Sequence, residues 1–263
     1  MLAGKRVLVT GSSQGIGRSI AEAMLLAGAS VALTSEKSAD AVPGLSELLR
    51  THAGRGHYFT ANYSESGAAG PLVEAAWHAL GGIDVLVNNV GTFREPSFLD
   101  LAEADFKSLF RINVWSALST TQEVVKRAAG RGGRILFTTS LNGSRSEPGH
   151  TLYDASKGAI DALTRQLALE LAPLGFTTAA VAPGLVETPL TDFGLKSSPG
   201  ERARLIDQIP LRRIATAEEI AGWFVFLASD AARYATGIVI PVDGGLNAQQ
   251  MGYRPVTDAE RNG

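Results

Sequence analysis

The chain has 263 residues, of which 45% are hydrophobic and 19% are charged, with a formal net charge of −2. This composition is typical of a globular protein with a substantial core, in one large α/β domain or two small ones. A near-neutral charge without a basic stripe excludes a polyanion-binding surface, so nucleic acid is not an expected partner.

Several further classes are excluded by what the chain does not contain. It has no cysteine, so disulfides, thiolate metal sites and a cysteine nucleophile are ruled out. Histidines and carboxylates do not recur at metal-ligand spacing, and we expect no metal. No apolar run approaches a membrane span, and no leader precedes the first predicted strand. We therefore expect a cytoplasmic protein with no membrane partner.

The chain begins with a strand, a glycine-rich turn, a helix and a second strand. The strands are predicted at 6–11 and 30–35, and residues 10–17 read TGSSQGIG. Glycines in such a turn let the backbone approach a pyrophosphate, and the helix N-terminus offers unpaired N–H groups and a positive dipole end. The βαβ frame therefore predicts a dinucleotide site. Its glycines are Gly11, Gly15 and Gly17.

Strands and helices go on alternating along the chain. This pattern predicts a doubly wound parallel sheet of seven strands with helices on both faces, in one domain. Pro43 is expected in the first turn of its helix. A looser polar segment is expected at 189–210. The further strands are predicted at 57–62, 84–91, 134–139, 177–184 and 237–245, and the helices at 43–52, 67–80, 103–128, 152–171 and 216–228.

Three polar side chains are expected to meet where the strand at 134–139 ends. Ser140 follows that strand, at the usual place for catalytic groups in an open α/β sheet. Tyr153 and Lys157 are four residues apart on the next helix, so both leave the same face. A phenol, an ammonium and a hydroxyl at one strand end are suited to moving a proton.

Six motifs in this order resemble the short-chain dehydrogenase/reductase family, and the resemblance extends through residues 210–245 to cover nearly the whole chain. It implies a single Rossmann-type domain over residues 1–246 that transfers a hydride between a nicotinamide dinucleotide and a secondary alcohol or ketone. The motifs are TGSSQGIG, NNVG at 88–91, Asn113, Ser140, YDASK at 153–157 and APGLVETP at 182–189.

The resemblance implies a catalytic tetrad. Tyr153 would be the general acid/base, although a tyrosine pKa of ~10 must fall by about three units to work near neutrality. Lys157 and an oxidised nicotinamide would supply that depression. Ser140 would hold the substrate oxygen, and Asn113 would hold a water that links Lys157 to solvent.

The resemblance also implies a binding site for NAD or NADP. Asn62 stands where the family often has an aspartate for the adenine amino group, and its amide oxygen could accept the same bond. Glu36, at the end of the second strand, should repel a 2′-phosphate and so weakly favours NAD, although Lys37 opposes this. The expected cofactor residues are Gly11, Ser13, Gln14, Gly15, Ile16, Gly17, Ser35, Glu36, Asn62, Tyr63, Asn88, Val90, Gly91, Tyr153, Lys157, Pro183, Gly184, Val186 and Thr188.

The substrate is less well specified. A polar wall around Ser140 and Tyr153, with 189–210 as a lid, favours a sugar or polyol. Two alternatives stay open: a 3-oxoacyl-carrier-protein reductase, whose acidic carrier would need a basic patch at Arg127, Arg131 and Arg134, and a non-catalytic dinucleotide sensor. The expected wall residues are Arg94, Asn142, Glu147, His150, Leu185 and Glu187.

The resemblance further implies a homo-oligomer, commonly a tetramer. Small residues on the helix from Leu152 would permit close packing against a partner chain. The polar tail, residues 247–263, is expected either to fray or to cover a neighbouring subunit's site. The small residues are Ala155, Gly158, Ala159 and Ala162.

Overall fold

Seven parallel strands form a single sheet in the order β3-β2-β1-β4-β5-β6-β7. The structure is a computed structural model that describes residues 1–191 and 199–249. It confirms the predicted doubly wound α/β sheet. The strands are β1 Arg6–Val9, β2 Ser30–Ser35, β3 Gly56–Thr60, β4 Val85–Asn88, β5 Gly133–Thr138, β6 Phe176–Pro183 and β7 Ile238–Val242.

The central strands are buried on both faces, which explains their continuous apolar sequences. All four residues of β4 are buried, whereas β3 and β7, at the two edges, are largely half-buried or exposed. The predicted strands at 6–11 and 84–91 extend past the observed ends at Val9 and Asn88. Residues beyond those ends belong to loops at the carboxyl edge of the sheet, where the cleft lies.

Helices cover both faces of the sheet. On one face, α1 and α8 pack through Ile20, Met24 and Phe224. On the other, α5 and α6 pack through Val124 and Ile160. The helices are α1 Gly15–Leu26, α2 Leu45–Thr51, α3 Ala69–Leu80, α4 Glu103–Phe110, α5 Ser116–Ala128, α6 Thr151–Leu171, α7 Pro199–Gln208 and α8 Ala217–Ala228.

Three predicted elements differ from the structure. Pro43 precedes α2 because Gly44 adopts a left-handed conformation (φ 66°), and the helix begins only at Leu45. The single helix predicted at 103–128 is α4 and α5 joined by a π-helical turn, Arg111–Trp115. Part of the segment predicted to be loose is the regular helix α7. Residues 192–198 of the predicted lid lie outside the described residues, as do residues 250–263 of the tail.

The order of the strands reverses between β1 and β4, since β2 lies on one side of β1 and β4 on the other. Loops that leave the carboxyl ends of these two strands therefore diverge, and a crevice opens between them. This is the standard position of a ligand site in an open parallel sheet. None of the helices in the described part of the chain has both the length and the apolar character needed to cross a bilayer.

Candidate active site

A cleft of about 400 Å³ lies at this reversal point. The structure brings most of the sequence-predicted site residues to its wall. From those predictions, the lining residues are Gly11, Ser13, Gln14, Gly15, Ile16, Gly17, Ser35, Glu36, Asn62, Tyr63, Val90, Gly91, Ser140, Tyr153, Lys157, Pro183, Gly184, Val186 and Thr188.

The glycine loop is shaped by close backbone approaches. Gly11 has a positive φ of 63°, and a side chain there would press on Val90. A Cβ on Gly17 would collide with the Gly11 carbonyl oxygen and the Asn89 amide, so only glycine fits. Gln14 gives no side-chain cap to the first N–H groups of α1. The loop and the helix N-terminus together can accept a phosphate group.

Asn89 joins the glycine loop to the end of β5 at the base of the cleft, and the sequence prediction did not include it. Its Nδ2 donates to the Gly11 carbonyl oxygen at 2.9 Å, and its Oδ1 accepts from the Thr138 hydroxyl at 3.0 Å. The prediction named Asn88 instead, but that side chain is buried and donates to Thr121 of α5 at 3.1 Å. Side-chain alternation gives no signal here, because Leu86 and Val87 pack in helix-covered cores on opposite faces of β4, and both faces therefore look alike in the sequence.

The end of β2 is held by a small hydrogen-bond network. The Ser35 hydroxyl lies 2.8 Å from the Tyr58 hydroxyl and accepts from the Lys37 N–H at 3.1 Å. Tyr58 in turn donates to the Lys37 carbonyl oxygen at 2.7 Å. Glu36 is exposed at the rim of the cleft, and the Lys37 ammonium donates to Gln14 Oε1 at 3.3 Å. The Glu36 carboxylate thus lines this end of the cleft, and the Lys37 ammonium lies next to it on Gln14.

Two of the expected cofactor residues, Asn62 and Tyr63, have polar groups that are already bonded within the protein. The Asn62 amide oxygen, expected to accept from adenine, already accepts from the Ser64 N–H at 3.1 Å and the Ser64 hydroxyl at 2.7 Å. The Tyr63 hydroxyl lies 2.7 Å from that of Thr120 inside the core, and burial raises the pKa of Tyr63 to about 12. Neither the amide oxygen nor the phenol is free for a ligand.

Ser140, Tyr153 and Lys157 meet at the other end of the cleft, as expected. Ser140 and Tyr153 both line this part of the cleft, and the Ser140 hydroxyl donates to Asn142 Oδ1 at 3.3 Å. The Lys157 ammonium donates to the Thr138 carbonyl oxygen at 3.1 Å and lies 5.6 Å from the centroid of the Tyr153 ring. Lys157 is only 5% exposed. A proton donor, an orienting hydroxyl and a nearby cation therefore share one wall.

The pKa of Tyr153 moves opposite to the expected direction. Burial raises it, the Ser140 hydroxyl lowers it, and the charges of Asp154 and Glu147 raise it further. Burial also lowers the pKa of Lys157 to about 8, against an opposing effect of Asp161. Within the protein, burial therefore disfavours both the phenolate of Tyr153 and the ammonium of Lys157.

Asn113 lies in the π-helical turn and is 2% exposed. Its Nδ2 donates to the Thr92 carbonyl oxygen at 2.8 Å and to the Ser156 hydroxyl at 3.0 Å, while its Oδ1 accepts from the Thr92 N–H at 2.8 Å. Both amide protons are therefore used, and the side chain can offer a water only the second lone pair of Oδ1. The expected water-holding role has little support from this side chain.

The expected substrate wall is not among the cleft-lining residues, apart from Ser140 and Tyr153. Asn142 bonds Ser140 and Asp154, and Leu185 packs against Ile209. Arg94 is exposed, Glu187 pairs with Arg202, and Glu147 lies 3.4 Å from His150, whose ring is 5.7 Å from that of Tyr153. The cleft is instead lined by Leu190 and Thr191 of the predicted lid and by residues that the prediction missed, which include Thr92, Ile112, Thr138 and Thr139.

Comparison with known proteins finds oxidoreductases that match nearly the whole chain. A family model described as enoyl-(acyl carrier protein) reductase matches residues 11–247. A 3-oxoacyl-[acyl-carrier-protein] reductase from Aquifex aeolicus is 34% identical, over 93% of this chain and 98% of its own.

Two solved structures are similarly close. One, from Sinorhizobium meliloti, is assigned as a short-chain alcohol dehydrogenase and is 35% identical, with a TM-score of 0.89 over 94% of this chain and 98% of its own. Another, from Beutenbergia cavernae, is assigned as an NAD(P)-dependent gluconate 5-dehydrogenase with bound NADP. It is 32% identical, with a TM-score of 0.87 over 94% of this chain and 98% of its own.

The buried Lys157 predicts a pH dependence of stability. Its pKa is about 8 in the folded chain and near the ordinary 10.5 when unfolded, so between these values only the unfolded state keeps the proton. The free energy of unfolding should therefore rise with pH in this window, by up to about 3 kcal/mol from this group. Urea unfolding at pH 7.5 and 10 measures the rise, and Lys157→Met should lose it. An equal rise in both proteins contradicts the assignment to Lys157.

Proposed function

The chain belongs to the short-chain dehydrogenase/reductase family, and on that premise we propose that it is an NAD(P)-dependent oxidoreductase acting on a secondary alcohol or ketone. One observation carries the proposal. Tyr153 lies one helical turn from Lys157 and lines the same cleft as Ser140 and the glycine loop. Proton-transfer groups thus lie at one end of the cleft and a phosphate cradle at the other.

The side chains are suited to proton transfer beside a hydride transfer. A bound nicotinamide dinucleotide supplies or accepts the hydride. During reduction, Tyr153 gives its proton to the substrate oxygen, and during oxidation it takes that proton back. Ser140 holds the substrate oxygen in line. Lys157, with a pKa of about 8, is mostly protonated at neutral pH and stabilises the phenolate left by the transfer.

The residues of the cleft fit a dinucleotide. The pyrophosphate would lie on the loop from Gly11 to Gly17, against the uncapped N–H groups of α1. The adenosine ribose would lie at the end of β2, beside Glu36. The nicotinamide carboxamide would be held by the segment after β6, whose cleft-lining residues are Pro183, Gly184, Val186 and Thr188.

We favour NAD over NADP because Glu36 stands exposed at the ribose end, where its carboxylate repels a 2′-phosphate. Lys37 opposes this, yet its ammonium is drawn to Gln14. The Beutenbergia protein binds NADP, which is a property of that relative.

For the substrate we favour a small polar molecule such as a sugar or polyol. The polar residues Ser140, Thr138 and Thr139 line the catalytic end of the cleft, and the Beutenbergia relative is assigned to gluconate. A 3-oxoacyl-carrier-protein reductase is the second candidate, because the Aquifex relative bears that name.

The basic patch that an acidic carrier would need is already occupied by internal contacts. Arg127 pairs with Glu123, Arg131 covers the ring of Trp77 at 5.1 Å, and Arg134 lies 3.5 Å from Asp230. Carboxylates compensate the charges of Arg127 and Arg134, and the Trp77 ring covers the guanidinium of Arg131, so an acidic carrier gains little from this cluster. The same cluster therefore favours the small-molecule reading over the carrier.

Replacing the phenol tests the catalytic assignment. Tyr153→Phe removes the proton donor and should lower kcat by about 10² to 10⁴-fold while leaving the dissociation constant of the cofactor unchanged. Turnover is followed by nicotinamide absorbance, and cofactor binding by calorimetry. Tyr234→Phe is the matched control, because Tyr234 is 98% exposed. Wild-type turnover in Tyr153→Phe would contradict the role given to Tyr153, and absence of turnover in the wild-type protein itself would favour the non-catalytic sensor.

A substrate panel tests the specificity proposals. Sugars, polyols and oxoacyl esters are each assayed with NAD(H) and NADP(H), and the highest kcat/KM is expected for a polyol or sugar with NAD. Glu36→Ala should raise kcat/KM with NADP, because the repulsive carboxylate is gone, and Lys37→Ala should lower it. A wild-type preference for NADP contradicts the role given to Glu36, and a preference for oxoacyl esters favours the second candidate.

We also propose that the chain assembles as a homotetramer. We divide the exposed large apolar side chains into a first region, around α4 and the π-helical turn, and a second region, which comprises residues of α6, of α8 and of the turn after α8. Monomers rarely leave such groups in contact with water. The expected small residues Ala155 and Ala162 are exposed as well. The large residues are Phe98, Leu99, Phe106 and Trp115 in the first region and Leu169, Trp223, Phe226 and Tyr234 in the second.

A charge placed in the second region should break the assembly. Leu169→Glu is expected to reduce the mass measured by light scattering from four chains to two or one, because a buried unpaired carboxylate is costly. Leu26→Glu is the control, since Leu26 is 79% exposed on α1, outside both regions. A monomeric wild-type protein would contradict the proposal.

A further inference from the structure

A short segment, Thr92–Glu95, connects the cleft wall to the N-terminus of the helix that carries Tyr153. It follows Gly91, which lines the cleft. Three of its four residues make specific contacts with site elements, through the backbone, a ring and a carboxylate in turn. We call this segment the strap.

The first two strap residues contact catalytic elements. Thr92 bonds the Asn113 side chain through both its N–H and its carbonyl oxygen, each at 2.8 Å. The Phe93 ring stands edge-on to Tyr153, with ring centroids 6.5 Å apart, and edge-on to His150 at 6.1 Å. The strap thereby bridges the π-helical turn and the start of α6.

Glu95 makes the closest link to the proposed acid/base. Its Oε2 accepts from the Leu152 N–H and the Tyr153 N–H, both at 2.9 Å, and its Oε1 lies 3.2 Å from the Leu152 nitrogen. His150, the residue before the helix, provides no side-chain cap. The first N–H groups of a helix have no partner within it, so this carboxylate supplies what the helix lacks. A negative charge also suits the positive end of the helix dipole.

We propose that Glu95 is a positioning residue for catalysis, which holds the first turn of α6 so that the Tyr153 phenol stays within reach of the substrate oxygen. The inference rests on the proposed acid/base role of Tyr153. One of the two bonded N–H groups belongs to Tyr153 itself, so any shift of the cap moves the Cα that carries the phenol. A general acid must lie within hydrogen-bond distance of its partner, and a displacement of about 1 Å can cost on the order of 10²-fold in rate.

A cap that merely stabilised the fold would behave differently from a positioning residue. Loss of either kind of cap lowers the unfolding temperature, but only loss of a positioning residue lowers kcat with little effect on cofactor binding. Glu219 is a matched control, because it accepts from the Thr216 N–H at 3.0 Å at the start of α8 and also pairs with Arg213. Neither Glu219 nor Arg213 lines the cleft.

Four variants test the proposal. Glu95→Ala is expected to lower kcat by about 10 to 10²-fold, with the dissociation constant of the cofactor changed less than about twofold. Glu95→Gln should recover most of kcat, because one amide oxygen can accept both N–H groups. Glu95→Asp, whose shorter side chain withdraws the acceptor, should fall between them. Glu219→Ala should lower the unfolding temperature at unchanged kcat.

The outcomes separate this inference from the proposed function. Wild-type kcat in Glu95→Ala would overturn it, as would equal losses of kcat in Glu95→Ala and Glu219→Ala or a Glu95→Gln protein as slow as the alanine variant. If the Glu95→Ala protein does not fold, the comparison of Glu95→Gln with Glu95→Asp tests the proposal instead. Equal kcat in these two variants would contradict a positioning role for Glu95. A fully active Tyr153→Phe protein contradicts the proposed function. An inactive Tyr153→Phe protein together with a fully active Glu95→Ala protein contradicts only the role given to Glu95.

Discussion

The buried hydrogen bond from the Lys157 ammonium to the Thr138 carbonyl oxygen is the contact on which the site depends. It joins α6 to the last residue of β5, and so sets the distance between the helix that carries Tyr153 and the loop that carries Ser140. An ammonium with 5% exposure loses its hydration and must find acceptors within the protein. The charge is retained because it is bonded to the strand end, and the same bond aligns the two elements.

Burial also sets the electrostatic state of the cleft. It raises the pKa of Tyr153 and lowers that of Lys157, so the protein alone holds the phenol neutral and weakens the hold of the lysine on its proton. A positively charged group bound in the cleft would favour the phenolate, which is the direction that proton transfer from an alcohol requires. The protonation state of Tyr153 therefore depends on the charge of the group that binds beside it.

Several contacts support the arrangement of Ser140, Tyr153 and Lys157. Asn89 ties the glycine loop to β5, Asn113 anchors the strap, and Glu95 caps α6. Each connects elements that are far apart in the chain but adjacent at the carboxyl edge of the sheet. They explain how a loop-rich edge, usually the most mobile part of such a fold, can hold side chains in one geometry.

The sequence by itself was sufficient for the alternating elements, the parallel sheet, the glycine loop and the convergence of Ser140, Tyr153 and Lys157. These features follow from local periodicity and spacing. A four-residue separation on a helix places two side chains on one face, and a glycine after a strand predicts a turn, whatever the rest of the chain does. The π-helical turn at Asn113 does not interrupt the hydrophobic periodicity of the helix predicted at 103–128, so the sequence pattern could not predict it. Only the tertiary structure decided that Asn89 rather than Asn88 reaches the cleft, that Asn62 and Tyr63 are already bonded, and which way the pKa of Tyr153 moves. Those outcomes depend on burial and on partners distant in sequence, and no local pattern encodes either.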